Sequence, residues 1–162
     1  MTVLDVLILW IHIFAAIIFV GGSFFMWIVV WPVSYTLADN EKERTRIVGK
    51  IARRFAYFTH LSILILIITG IYNATWYLHG NLTALTGTPG GRILLAKSIL
   101  VIIAIAIIYS NNMYHGKLIT RLALEGELEK VRKVRKRTHL LSFISLGLLL
   151  AITGLATALQ FY

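Results

Sequence analysis

The sequence predicts an all-α integral membrane protein: four transmembrane helices in one antiparallel bundle, with both chain termini outside. Three observations carry this. Of 162 residues, 58% are hydrophobic and only 14% are charged, against about 25% charged in ordinary globular domains, so a water-soluble chain of this size would lack the polar surface to cover its core. Four apolar runs, roughly 3–33, 55–77, 93–114 and 139–161, each reach the ~20 residues that cross the hydrocarbon as a helix. The basic residues also alternate between linkers. Lys42, Arg44, Arg46, Lys50, Arg53 and Arg54 lie in 34–54, and Lys117, Arg121, Lys130, Arg132, Lys133, Arg135, Lys136 and Arg137 lie in 115–138, leaving only Arg92 and Lys97 elsewhere.

The first run is too long for the apolar core of a cleaved signal, and Asp5 rather than a basic residue precedes it. Trp10 and Trp31 suit the two interfacial belts, since the segment joining them is about 31 Å long at 1.5 Å per residue. The first linker is basic and therefore expected in the cytoplasm. The second run ends at a linker, 78–92, whose Gly-Thr-Pro-Gly-Gly turn at 87–91 faces outward. The third linker is again basic, diluted by Glu125, Glu127 and Glu129, and is expected to extend the flanking helices into the cytoplasm. One domain, 1–162, accounts for the whole chain, and its place is a plasma membrane that it crosses several times. The net charge of +9 is read as topology and solvation, not as a nucleic-acid surface. The expected partners are the lipid bilayer and other membrane subunits or a second copy of the chain.

Chemistry is sought among polar residues at depth, where ionisable groups are costly and mark function. There is no Cys, which excludes disulfides and thiolate metal sites. No Walker loop, dinucleotide fingerprint or HExxH motif is present. At about 100° per residue, Asp5, His12, Phe19, Ser23 and Met26 share one face of the first helix. Lys97, Ala104, Ile108, Asn111 and His115 share a face of the third. On the fourth, His139, Leu146, Leu150, Thr153 and Thr157 align, with Gly147 and Gly154 expected at close helix contacts.

These faces suggest two sites. At the cytoplasmic end, His60, His115 and His139 come from three helices at similar depth, and two imidazoles from facing helices are what haem b needs. His60 and His139 form the expected metal-binding pair, with His115 as substitute and Arg53 and Arg54 near the propionates. At the outer end, His12 is the expected metal ligand, Lys97 or His79 sits opposite, and Arg92 holds a propionate. The leading functional reading is a b-type cytochrome with one or two haems, moving electrons in the membrane. The alternatives are copper handling and a cofactor-free accessory subunit of a respiratory complex. A plain reading of the helix-end histidines as interfacial residues, with Lys97 reaching water, stands beside these. Only Met1, Met26 and Met113 are available as thioethers, so a methionine relay for Cu(I) is excluded while a His-based copper site is not.

The segment 69–118 resembles the CopD (copper resistance D) family of membrane domains. The resemblance rests on Thr69-Gly70, the run Thr88-Pro89-Gly90-Gly91-Arg92, Leu94, Leu95, Lys97 and Asn111, together with Trp10-Ile11-His12 and Gly21-Gly22. It implies a four-helix membrane bundle with a role in copper uptake or resistance. A more distant similarity, to the HemJ-type protoporphyrinogen oxidases, rests on His12 and Lys97 and implies haem b. This chain departs from that pattern, with Ile108-Tyr109-Ser110 where a His is expected in the third helix and no Asn-Pro in the fourth.

Overall fold

The computed structural model describes residues 2–162, and among these every regular element is a helix. Helix α1 (Val3–Phe25) opens with a reciprocal cap. The Asp5 carboxylate accepts from the Thr2 N–H at 2.6 Å, and Thr2 Oγ1 accepts from the Asp5 N–H at 3.3 Å. Helical structure continues through a π-turn, Met26–Val30, to Trp31–Val33. Pro32 explains the wider turn: it supplies no N–H for the Ile28 carbonyl, and the ladder shifts so that Trp31 N–H bonds Met26 O.

Helix α2 (Glu41–Tyr77) starts at Asn40, whose side chain accepts from the Glu43 N–H at 2.9 Å. With Glu41 and Glu43 in its first turn, it has both the cap and the charge that favour a helix start. Its 37 residues extend about 55 Å, well beyond a hydrocarbon core of about 30 Å. Most of the first linker is therefore helix, not the connecting loop expected before Phe55. After a single turn at Ala84–Gly87, helix α3 (Pro89–Ser110) is capped by Thr88, whose hydroxyl accepts from the Gly91 N–H at 3.0 Å. Gly91 is required where the chain folds back, because a Cβ there would lie 1.9 Å from the Ala84 carbonyl oxygen. A second π-turn, Asn111–His115, leads into a helical segment, Gly116–Leu124. Gly126, at φ 77°, makes the turn into α4 (Leu128–Ala158). As expected, the third linker prolongs both of its flanking helices.

Four helices are long and apolar enough to cross a membrane. Helix α1 packs chiefly on α2, and α3 on α4. The two pairs meet around Phe19, Ile63 and Leu149, against which Val20, Leu66, Ile105, Ile108 and Tyr109 pack. Elsewhere the interior uses small and weakly polar residues: Ala15, Thr59, Ser62, Thr69, Ala104 and Ser145 are all buried. Thr59, Thr69 and Ser145 return their hydroxyl protons to the carbonyl four residues back, so these three hydroxyls stay satisfied where the helices approach closely. Large side chains such as Phe14, Leu64, Ile102 and Phe143 point outward, as lipid contact requires.

The inward faces of α1 and α3 are those expected. Helix α4 departs: its buried residues are Val131, Ser145, Leu146 and Leu149, while Leu150, Thr153 and Thr157 are exposed. Gly147 and Gly154 are not at close contacts either, for a Cβ at each would meet nothing within 4 Å. A tight notch lies instead at Gly22, into which the Phe55 ring fits. Packing on α3 turns α4 so that Ser145, Leu146 and Leu149, and not the whole line through His139, face inward.

Candidate functional site

One end of the bundle carries both chain termini. There the Tyr72 hydroxyl donates to Asp5 Oδ1 at 2.8 Å, tying the start of α1 to the end of α2. Gly90 lies under Tyr77 and Tyr162, closing the same end across α2, α3 and the C-terminus.

Farther along the Asp5 face of α1, half-buried His12 meets α2. Its Nδ1 is 2.7 Å from Thr69 Oγ1. The Thr69 hydroxyl proton is already committed to the Ile65 carbonyl at 2.6 Å, so Thr69 has only a lone pair to offer. A His12 protonated on Nδ1 can then donate to Thr69, which leaves the lone pair on Nε2. Among the described residues Nε2 has no hydrogen-bond partner. Lys97 is half-buried on α3. Gly70 leaves room beside the ring, since a Cβ there would reach His12 Cε1 at 3.4 Å. His12 and Thr69 thus join α1 to α2 through one imidazole nitrogen.

The other predicted residues of this end are not part of that group. Arg92 is exposed in the first turn of α3, and His79 is exposed in the turn after α2, in the left-handed region at φ 49° and 6.5 Å from the Trp76 ring.

At the opposite end the three histidines engage separate neighbours. His139 presents its ring edge-on to Trp27 and Trp31, with centroids at 4.9 and 4.2 Å. His60 is exposed and lies 5.2 Å from the Tyr109 ring. His115 bonds through Nδ1 to Asn111 Oδ1 at 3.1 Å, and the amide of buried Asn111 donates to Ser142 Oγ at 3.0 Å. Among the described residues no three His, Asp or Glu side chains come together to hold a metal ion.

This end is instead organised by charges that the sequence did not single out. Glu41 pairs with both Arg44 and Arg135, and Arg135 also donates to Thr45 Oγ1 at 2.7 Å. The Arg44 guanidinium stacks 4.1 Å from Tyr35, and that of Arg135 lies 5.4 Å from Trp31. Trp31, expected in an interfacial belt, is thus a half-buried platform for this cluster. The only sequence signal was the position of Glu41 in the first turn of a helix that begins before the apolar run.

A family model for copper resistance protein D matches residues 49–159. The chain belongs to the CopD family. The match takes in most of α2, all of α3 and all of α4, and so includes Thr69 and Lys97; His12 lies N-terminal to it. No curated protein and no solved structure gives a significant match. The family and the four apolar helices make this a membrane protein related to copper resistance.

Proposed function

We propose that this CopD-family protein moves copper across the membrane, and that His12 Nε2 is the nitrogen the ion meets on entering the bundle from the end that holds the termini. The observation that carries this reading is a transmembrane imidazole with its Nδ1 occupied by Thr69 and its Nε2 bare. Imidazole nitrogen is a good ligand for copper in either common oxidation state. Lys97 adds a second property. A cationic side chain on the inward face of α3 disfavours permanent retention of a cation, and conduction needs binding strong enough to admit an ion and weak enough to release it. The buried hydroxyls of Thr59, Ser62 and Ser145 and the amide of Asn111 provide polar atoms farther along the interior. We place the protein in the plasma membrane with its basic helix ends in the cytoplasm, so that the ion enters from outside. Exposed apolar faces contact lipid, and other membrane subunits or a second copy are the expected neighbours.

A haem-carrying role has no comparable support, because the family to which the chain belongs is one of copper resistance. The test is copper flux into proteoliposomes. Wild-type protein should load copper faster than protein-free vesicles, and His12→Ala should slow loading by about tenfold or more, as losing a metal ligand does. Wild-type flux equal to that of empty vesicles, or unchanged flux in His12→Ala, would overturn the proposal.

A further inference from the structure

We infer that Thr69 is the positioning residue of this site: it fixes the tautomer and the direction of His12 so that Nε2, not Nδ1, is offered to a metal cation. The metal part of this inference rests on the copper reading above; the tautomer part does not.

The argument is one of hydrogen counting in a place without water. A neutral imidazole has one N–H and one lone pair, and either nitrogen can hold the proton. In bulk water both tautomers exist. Inside a membrane span the choice is made by whatever partner is within reach. Thr69 is buried, and its hydroxyl has a single proton. At 2.6 Å from the Ile65 carbonyl that proton completes a bond inside α2, the usual resting place of a helical Thr hydroxyl. What remains toward His12, at 2.7 Å, is an acceptor. An unprotonated Nδ1 would set lone pair against lone pair at that distance, or would draw the Thr69 proton off the Ile65 carbonyl and leave that oxygen with its helical N–H partner alone. The Nδ1–H form avoids both.

Direction follows from the same contact. With Nδ1 anchored on α2 and the ring lying over Gly70, Nε2 is turned away from the Thr69 contact. A ligand presented this way needs no reorientation when an ion arrives, and outer partners that lock a metal-binding imidazole are worth about 10–100-fold in metal affinity. The site therefore takes a cation that accepts one imidazole nitrogen of fixed direction, a borderline-soft transition metal, and not one that needs an oxygen cage.

The experiment uses full-length protein in lipid with 15N-labelled histidine rings, the His12 signals being those lost in His12→Asn. Nitrogen shifts separate protonated from bare ring positions. Wild type and Thr69→Ser should both show Nδ1 protonated and Nε2 bare, since serine keeps the hydroxyl. Thr69→Val should lose that bias and bind added copper about 10–100-fold more weakly, with Thr69→Ser restoring both. A wild-type His12 protonated at Nε2, or a Thr69→Val protein with the wild-type tautomer, would overturn the positioning role. A wild-type Nδ1–H tautomer whose Nε2 signal is indifferent to copper would leave Thr69 in its role and remove the copper reading instead.

Discussion

Glu41→Gln removes the one carboxylate that two guanidiniums share at the basic end of the bundle. Glu41, Arg44 and Arg135 have side chains only 19%, 16% and 12% exposed, so water does little to screen them. Opposite charges about 4 Å apart are worth about 4 kcal/mol at the effective dielectric of a partly buried site. Breaking a buried pair by removing one partner costs about 3–5 kcal/mol, because the remaining charge stays desolvated. Gln keeps a carbonyl oxygen that can accept from one arginine, which returns about 1 kcal/mol, and the rings of Trp31 and Tyr35 continue to hold the guanidiniums. The expected loss is thus about 2–4 kcal/mol. It should appear as a lower midpoint in thermal or denaturant unfolding of the protein in detergent micelles. The double variant Glu41→Gln with Arg135→Gln should be less damaged than the sum of the two, since each removes part of the other's penalty. A Glu41→Gln protein within about 0.5 kcal/mol of wild type, or strict additivity in the double variant, would show that the cluster does not hold α2 and α4 together.

Glycine contacts give a graded comparison in the same assay. Gly91→Ala should cost about 1–3 kcal/mol by overpacking, since its Cβ would strike the Ala84 carbonyl oxygen, whereas Gly147→Ala in α4, with open space around it, should be neutral or slightly stabilising; equal effects would refute the packing argument. A reporter fused after Tyr162 should be found outside the cytoplasm, because the basic residues crowd the opposite end of the bundle; a cytoplasmic signal would reverse the direction assigned to the copper path.

Much of the site was legible from one dimension. His12 stands out because an imidazole in an apolar run needs a partner, and Lys97 because it lies in line with Asn111 along α3, two buried or half-buried positions on one face. Thr69 was visible only as part of a family-like Thr-Gly pair. That it accepts from His12 while donating to Ile65 is a matter of which faces of α1 and α2 meet, and no spacing within either helix contains that information. The inner histidines illustrate the opposite limit. Similar depth on three helices suggested a shared cofactor, but depth says nothing about azimuth, and each ring turned to a different neighbour.

The sequence by itself determined the four apolar spans and the alternation of charge along the chain, because these depend on composition and on order along the chain. The tertiary structure decided how far α2 reaches beyond the apolar run, how α4 is rotated, that Gly22 receives the Phe55 ring, and that Glu41, paired with nearby Arg44, also gathers Arg135 from more than ninety residues away. Those outcomes depend on side-chain packing between helices. In a bundle whose lateral hydrophobic drive is weak, they are set by fit and hydrogen bonding, which only the assembled molecule specifies.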